Sequence, residues 1–444
     1  MLNGAYRRIN SMITLTVKSG RVGPIRGRHP WVFSGALKHI PEGLASGDPV
    51  TLADEQGNFL ALGYFNSYSQ IAVRLWSWEK DEEVNKTFFE QRIRQAYELR
   101  QQFVASKETN AFRLVHAEND LLPGLIVDKY GDYLSLQFHT PGMERWKKEI
   151  VNALVKIVKP QGIYERSDVR VRGIEGAEKK VGLLYGDMPE RVEILENGFK
   201  FYVDIISGQK TGFFLDQRDK RQALTKYVKN KKVLNCFSYT GGFSVYALGA
   251  GASQVVSVDA SQSALELAEQ NVKLNKLPEK KCEFILADVK EYLGDLTTAN
   301  HPSPFLGKEG MSPVSPPVPK GSLGGTRGGA ARAGRGGGSN QFDVIILDPP
   351  AFVKDRHKIK EGLQGYRKIN ELALRALPPG GTLLTCSCSA HVSLQDFRFM
   401  LTEAASRAGR TVQILEMFTH GIDHPELVAF TEGEYLKCLI ALVI

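Results

Sequence analysis

Apolar and polar positions follow a strand–helix rhythm in the second half of this chain. Short apolar runs at residues 255–259 and 344–347 alternate with helical patterns such as 263–275. Apolar strands that alternate with amphipathic helices are typical of a parallel sheet covered by helices on both faces. We therefore predict an α/β domain with a Rossmann-like sheet over residues 206–444.

The beginning of the chain has a β-strand pattern instead. Residues 49–54, 59–66 and 71–78 are short runs rich in Val, Leu, Tyr, Phe and Trp. Strands at this spacing predict a small β-barrel over residues 13–80. In its motif Arg28-His-Pro-Trp-Val-Phe, we expect the alternating Trp31 and Phe33 to face the barrel interior.

Residues 82–205 mix both kinds of pattern and predict a central α+β domain. A helix is expected over 82–105, because Phe89, Ile93, Ala96 and Phe103 recur near one face. A second helix is expected over 143–158. Asn197-Gly198 between two apolar runs is a strong signal for a β-hairpin turn.

Composition excludes several classes of protein. The chain has 444 residues, of which 42% are hydrophobic and 24% charged, as in soluble proteins of two or three domains. No apolar run approaches the ~18 residues of a membrane span, and the apolar run at 12–17 is too short for a secretory signal. We expect a cytoplasmic protein without membrane contact.

The five cysteines form neither a disulfide framework nor a metal cage, so no metal site is predicted. They are Cys236, Cys282, Cys386, Cys388 and Cys438.

The net charge of +8 is concentrated in two regions. Residues 1–30 contain six Arg or Lys and no acid, and residues 297–341 contain five and one Glu. Such regions either contact nucleic-acid phosphates or are simply solvated. Residues 301–340 also contain 11 Gly and 6 Pro, which predicts a disordered insertion at about 297–341.

The turn after the first strand of the predicted parallel sheet is a candidate ligand site. Its two glycines allow close approach of backbone, and a G-x-G-x-x-G phosphate motif is absent. Asp259, Asp288 and Asp348 end the next three strands, and carboxyl ends of parallel strands meet in one crevice. Three acids favour a nucleoside without phosphates, although each Asp alone is also a good helix cap. The turn residues are Asn235, Phe237, Ser238, Tyr239, Thr240, Gly241, Gly242 and Phe243.

Two motifs are candidates for chemistry. Asp348 is followed by Pro349 and Pro350, which have no backbone N–H to donate, and by Phe352, which is suited to stacking on a base. The next strand ends with Cys386 and Cys388, whose side chains we expect on one strand face. Cys388 lies nearer the crevice and is the better candidate nucleophile, whereas Cys386 is expected to be a small core residue.

These motifs resemble a known family. Residues 235–243, 255–259, 348–352 and 387–389 look like class I S-adenosylmethionine (SAM)-dependent methyltransferases of the large-subunit ribosomal RNA methyltransferase I type. The resemblance extends over nearly the whole chain and implies a sheet with an antiparallel final strand. It also implies an N-terminal PUA domain that binds RNA. Two features depart from the family pattern, namely the insertion and the second thiol at Cys386.

The resemblance implies specific roles for individual residues. It implies carbon-5 methylation of a cytosine in 23S ribosomal RNA, free or in a pre-50S particle, with Cys388 as nucleophile and Asp348 on the base. A homodimer is an open possibility. SAM would lie against the 235–243 turn, and the RNA against Pro349, Pro350, Phe352 and the basic rim of the barrel. Further SAM-contacting residues are expected at Gln217, Arg218, Asp259, Ser261, Asp288, Val289 and Asp348; the rim residues are Arg26, Arg28 and His29.

Two alternatives remain open at this point. Asp-Pro-Pro followed by an aromatic residue also resembles methyltransferases that act on a nitrogen of guanine or another base, and these need no cysteine. The barrel and the basic residues 1–30 are also compatible with a non-catalytic RNA-binding factor for ribosome assembly. Full methyl transfer by a Cys388→Ala variant would favour the first alternative, and failure to bind SAM would favour the second.

Overall fold

The computed structural model describes residues 12–209, 211–299 and 341–444. The N-terminal region is a five-stranded sheet of order β1-β3-β4-β5-β2, in which only the β1–β3 pair is parallel. Its apolar faces enclose one core with the short helix α1. The elements are β1 (Ile13–Thr16), α1 (Val22–Arg26), β2 (Trp31–Phe33), β3 (Pro49–Ala53), β4 (Phe59–Phe65) and β5 (Ile71–Ser77).

The orientation predicted for the aromatic residues of β2 is wrong. Val32 is buried in the barrel core, whereas Phe33 is 47% exposed. Trp31 faces away from the barrel, donates from Nε1 to Glu118 Oε1 at 2.8 Å and packs its ring edge-on against Phe430. The alternation itself holds, but Val32 is the residue that faces the barrel core, and Trp31 faces the other domains.

The central region is a five-stranded sheet of order β10-β9-β8-β7-β6 followed by a separate hairpin. The hairpin turn is confirmed, since Asn197 and Gly198 both have positive φ. Phe103 is 55% exposed and not on the buried helix face, and Trp146 divides the predicted second helix in two. The elements are α2 (Lys86–Phe103), β6 (Ala111–His116), β7 (Leu125–Tyr130), β8 (Tyr133–Phe138), α3 (Pro141–Arg145), α4 (Lys147–Val158), β9 (Gly162–Ser167), α5 (Arg170–Ile174), β10 (Lys180–Gly186), β11 (Val192–Glu196) and β12 (Phe199–Val203).

The C-terminal region is a seven-stranded sheet of order β15-β14-β13-β16-β17-β19-β18. Its first five strands are parallel and β19 is antiparallel to both neighbours, which confirms the predicted fold. The elements are α6 (Arg218–Leu224), β13 (Lys232–Cys236), α7 (Gly242–Gly249), β14 (Gln254–Asp259), α8 (Gln262–Leu274), β15 (Cys282–Leu286), α9 (Val289–Ala299), β16 (Val344–Leu347), α10 (Ile359–Ala376), β17 (Thr382–Ser387), α11 (Leu394–Ala408), β18 (Val412–Phe418) and β19 (Lys437–Val443). The predicted 301–340 insertion lies outside the described residues.

The β18–β19 loop, residues 419–436, connects the three regions. Its Asp423 carboxylate accepts from Arg218 Nη2 at 2.7 Å and from the backbone N–H of Arg113 in β6 at 3.0 Å. Glu432 pairs with His29 of the barrel at 3.2 Å. These contacts place the loop beside the carboxyl end of the parallel sheet and hold the barrel next to it.

Candidate cofactor and nucleophile site

The turn between β13 and α7 has a constrained backbone. Phe237 and Tyr239 adopt left-handed φ values of 58° and 45°, a conformation that is costly for bulky residues and concentrates at functional sites. Gly241 also has positive φ, and a Cβ there would lie 2.8 Å from the Cβ of Ala268 on α8. The strain is stored at the mouth of the first strand, where the sequence predicts the ligand.

Asp259 holds this turn in place from the end of β14. Its Oδ2 accepts from the Tyr239 N–H at 2.8 Å, and its Oδ1 accepts from the Ser261 N–H at 2.9 Å. Ser261 in turn caps α8. Asp259 therefore lies between the two loops at the end of β14 and orders both of them.

Several predicted turn residues support the turn from beneath. Asn235 is buried, and its amide donates to Ser244 Oγ at 2.8 Å. The Thr240 carbonyl accepts from Asn271 of α8 at 2.9 Å. Gly242 begins α7, and the Phe243 side chain is buried in the core. These residues shape the site, and their side chains are taken up by the fold.

Unpaired buried polar atoms are consistent with a polar ligand here. Among the described residues, Ser238 Oγ, Asn235 Oδ1 and Gln217 Oε1 are buried and have no hydrogen-bond partner. Leaving such atoms unpaired costs about 1–3 kcal/mol each, so they suit a ligand that carries hydroxyl, amine and carboxylate groups. These groups belong to a nucleoside attached to an amino acid, and the residues present fit SAM.

Tyr239 connects the turn to the segment that precedes α6. Its hydroxyl accepts from the Gln209 N–H at 2.9 Å, and its ring packs edge-on against Phe214 at 5.1 Å. Burial raises the pKa of Tyr239 to about 12, so the hydroxyl stays protonated near neutral pH. No sequence motif predicted the contact between Tyr239 and Gln209.

Asp288 sits at the start of α9. Its Oδ1 accepts from the N–H groups of Lys290 and Glu291 at 2.9 and 3.0 Å, so the helix-cap alternative applies to this acid. The neighbouring Val289 side chain is buried in the core. Any contact of Val289 with a ligand is thus restricted to its backbone.

Gln217 contacts Asp348 at the end of β16, whereas the neighbouring Arg218 does not. Gln217 Nε2 donates to Asp348 Oδ1 at 2.7 Å. The Arg218 guanidinium instead forms the buried ion pair with Asp423, which raises its pKa against the opposing effect of burial. Of this predicted pair, Gln217 joins the site and Arg218 anchors the β18–β19 loop.

Hydrogen bonds join the Asp-Pro-Pro loop, which begins with residues 348–350, to the Ser-Cys-Ser loop, residues 387–389. Cys388 Sγ donates to the Pro349 carbonyl at 3.8 Å, and Pro350 is exposed beside it. Ser389 Oγ accepts from the Val353 N–H at 3.1 Å and lies 2.9 Å from the Tyr366 hydroxyl. The structure therefore brings the candidate nucleophile to the loop that begins with Asp348.

Phe352 has one face covered. Its ring lies 4.6 Å from the ring of Tyr366, and its N–H donates to the Tyr366 hydroxyl at 3.4 Å. Gly365 of α10 allows this approach, since a Cβ there would lie 3.0 Å from the Phe352 ring. Phe352 remains half-buried, which leaves part of a rigidly held ring open to a base.

The two thiols differ in environment. Cys386 is fully buried within β17, directly opposite Cys438 of β19. Burial raises the pKa of its thiol, and Cys438 and Asp348 raise it further. Cys388 lies just beyond the end of β17 and is half-buried. The thiolate is thus disfavoured at Cys386, as expected of a core residue.

The basic rim of the barrel is not part of the crevice. Arg26 pairs with Asp54 at 3.2 Å, and Arg28 pairs with Glu79 at 3.5 Å. Both arginine side chains are more than half exposed, so these pairs are weak and exchangeable with phosphates. His29 contacts Glu432 of the β18–β19 loop.

The structure also contains groups that the sequence analysis missed. Tyr435 donates to Asp216 Oδ2 at 2.7 Å, directly beside Gln217. Its ring packs on His420, one of three clustered imidazoles with His116 and His424. Lys437 is buried next to the Ser-Cys-Ser loop.

Within the described ranges, no cluster of three or more His, Cys, Asp or Glu could hold a metal. No helix within these ranges could cross a membrane.

Comparison with known proteins first defines the class. Family models match a PUA-like domain at residues 15–78 and an S-adenosylmethionine-dependent methyltransferase at residues 169–302. A putative SAM-dependent methyltransferase from Streptococcus mutans has the same fold, with TM-score 0.77 and 24% identity over 97% of this chain and 100% of that one. A putative methyltransferase in complex with SAH aligns over the same shares at TM-score 0.78 and 24% identity. The chain is a SAM-dependent methyltransferase with an N-terminal PUA-like domain.

Full-length relatives then define the family. "Ribosomal RNA large subunit methyltransferase I" of Aliivibrio fischeri is 41% identical over 426 residues, which cover 96% of this chain and 98% of the relative. The protein of the same name from Escherichia coli is 40% identical over 427 residues, with the same coverage. The chain belongs to the ribosomal RNA large subunit methyltransferase I family, which confirms the resemblance seen in the sequence.

Proposed function

We propose that this chain methylates carbon 5 of a cytosine in 23S ribosomal RNA through a covalent bond from Cys388. The observation that carries the proposal is the contact of the Cys388 thiol with the Pro349 carbonyl, because it brings a nucleophile to the loop of Asp348. The names of the relatives support the RNA of the large ribosomal subunit as substrate, either free or in a pre-50S particle.

Carbon 5 of cytosine needs activation before it can take a methyl group. The Cys388 thiolate adds to carbon 6, and the electron pair of the 5,6 double bond shifts so that carbon 5 becomes nucleophilic. SAM, when bound, would supply the methyl group from its positively charged sulfur, which would become a neutral thioether. A base then takes the carbon-5 proton, the electron pair of that bond re-forms the 5,6 double bond, the sulfur–carbon bond breaks, and the thiolate is regenerated.

The other residues orient the two substrates. Asp348, held by Gln217, faces the ring nitrogen and exocyclic amine of the cytosine. Asp259 is suited to the ribose hydroxyls of SAM, and Ser238 and the 237–243 turn to its remaining polar groups. Phe352 supports the flipped base on its open face, a common device where chemistry is done on a base. The exposed Arg26 and Arg28 meet phosphates of the same RNA.

Trapping of a covalent adduct tests this proposal. RNA that carries 5-fluorocytosine at the target keeps fluorine where the proton must leave, so a carbon-6 adduct to the enzyme accumulates. We expect an adduct with wild type and with Cys386→Ser, and none with Cys388→Ser. Cys386→Ser is the matched control, because it changes a thiol two residues away.

The outcomes separate the alternatives. Methyl transfer to ordinary RNA by Cys388→Ser at the wild-type rate would favour methylation of a base nitrogen. Absence of SAM binding in titration calorimetry would favour a non-catalytic assembly factor. An adduct that persists in Cys388→Ser and disappears in Cys386→Ser would move the nucleophile to the buried thiol.

A further inference from the structure

Lys437 is a buried lysine at the edge of the nucleophile loop. It begins β19 and lies opposite Ser387 in the β17–β19 register, so that it is one residue removed from Cys388. The residue is 1% exposed. Lysine is rarely buried to this degree without a compensating partner.

The ammonium of Lys437 contacts carbonyls on both sides of the loop. Nζ donates to the Ser389 carbonyl at 3.5 Å and to the Glu434 carbonyl at 3.2 Å. In the part of the chain that the structure describes, Lys437 forms no ion pair with a carboxylate within 4.0 Å. A buried cation bonded to two carbonyls is only partly compensated, and an anion at Cys388 would complete its surroundings.

Charged and titratable groups face this position from several elements. Burial lowers the pKa of Lys437, while Glu434, Glu426, Cys388 and Asp396 raise it. The first two lie in the β18–β19 loop and Asp396 lies on α11. Among the described residues, Tyr366 on α10 also interacts with Cys388, and Asp348 at the end of β16 and Lys220 on α6 interact with Cys386. Lys437 contacts the backbone of the Ser-Cys-Ser loop, whereas Lys220 donates to the Asp216 carbonyl.

We propose that Lys437 is a positioning residue that stabilises the thiolate of Cys388 with its buried positive charge. The inference rests on the proposed role of Cys388 as nucleophile. On ionisation the thiol proton passes to solvent, the electron pair stays on sulfur, and the ammonium keeps its three protons. A cation near a thiol lowers the pH at which the thiolate forms by about one unit or more.

The pH profile of Cys388 alkylation tests the proposal without RNA or SAM. Full-length protein is treated with iodoacetamide from pH 6 to 10, and modification of the Cys388 peptide is quantified by mass spectrometry. In Lys437→Met and Lys437→Gln we expect the midpoint to move up by about one unit, with alkylation at pH 7 about tenfold slower. Lys437→Arg, which keeps the charge, should stay near wild type.

Two controls make the result specific. Lys226→Met removes a charge whose side chain is 62% exposed, and it should leave the profile unchanged. Cys282, whose pKa is raised to about 12 by burial, is the internal reference thiol in every sample. Gln keeps donors for the two carbonyls, so a wild-type profile in Lys437→Gln would show a purely structural role and overturn the proposal.

The remaining outcomes are also decisive. If Lys437→Met does not fold, the comparison of Gln with Arg still tests the charge. Equal midpoints in Gln and Arg variants would overturn the proposal. A shifted profile together with no 5-fluorocytosine adduct in wild type would support Lys437 as the cation beside Cys388 and overturn carbon-5 methylation, so the two failures are distinguishable.

Discussion

Gln217 donates a hydrogen bond to Asp348 over 2.7 Å and joins the entry to α6 to the carboxyl end of β16. The two residues are 131 positions apart, and the contact holds the carboxylate in one orientation. Arg218, the residue after Gln217, forms an ion pair with Asp423, so the backbone that carries Gln217 is also anchored to the β18–β19 loop. Asp348, at the end of β16, is therefore positioned by the segment before α6, which lies far from it in the sequence.

Replacing Gln217 tests this arrangement. Gln217→Glu would place a second carboxylate against Asp348, and like charges at this distance cannot both ionise readily. We expect methyl transfer to RNA to fall at least about tenfold at pH 8 and to recover partly at pH 6, where one of the two acids binds a proton. Gln222→Glu on the exposed face of α6 is the control. A flat pH ratio between the two variants would contradict the role of Gln217.

Asp259→Ala tests the cofactor assignment. The change removes the carboxylate that accepts from Tyr239 and Ser261 and that is suited to ribose hydroxyls. Charge-assisted hydrogen bonds contribute about 1.5–3 kcal/mol, so we expect SAM affinity in titration calorimetry to fall by roughly 10- to 100-fold. Glu283→Ala removes an exposed acid from the adjacent strand and should bind normally. Unchanged affinity in Asp259→Ala would exclude Asp259 from the site.

The hydroxyl of Tyr366 is expected to matter more than its ring. Tyr366→Phe keeps the packing on Phe352 but removes the bonds to Ser389 and to the Phe352 N–H. We expect a loss of about 1 kcal/mol of stability, together with a several-fold lower kcat and a smaller change in SAM affinity. Tyr292→Phe on α9, which packs against the same core, is the matched comparison. Equal kinetic effects in the two variants would argue against a specific role of the hydroxyl.

Buried histidines predict a loss of stability in mild acid. Burial lowers the pKa of His420 to about 4 and that of His139 to about 3, and it lowers the pKa of His116 as well. In the unfolded chain each has its ordinary value near 6.5. The unfolded state therefore binds more protons below pH 6.5, so stability is fully present above that pH and falls as the pH decreases.

The measurement is the melting temperature between pH 8 and pH 5, above the range where ordinary carboxylates titrate. We expect a plateau above pH 7 and a steady decrease below 6.5. His420→Gln retains an acceptor for the N–H groups of Tyr435 and Leu436 and should make the decrease shallower. A melting temperature that is constant from pH 7 to pH 5 would contradict this prediction.

The sequence predicted what depends on local periodicity. Asp259 and Asp348 follow apolar strands of a parallel sheet, and strands of this kind place their ends in one crevice, so the crevice followed from the pattern. Contacts between distant segments did not. Trp31 alternates with Val32 as expected, but the partner that covers it is Phe430, about 400 residues later. Lys437 begins a strand, and only the β17–β19 register shows that it adjoins Cys388.

The β18–β19 loop has a consequence for how the molecule melts. It contacts the barrel through His29, the central region through Asn119, and the α6 segment through Arg218. Separating any of these regions would leave the buried Asp423 carboxylate without its partners or expose the rings of Trp31 and Phe430 to solvent. The three regions should therefore share one cooperative transition in calorimetry, and a fragment cut between them is expected to lose stability on both sides of the cut.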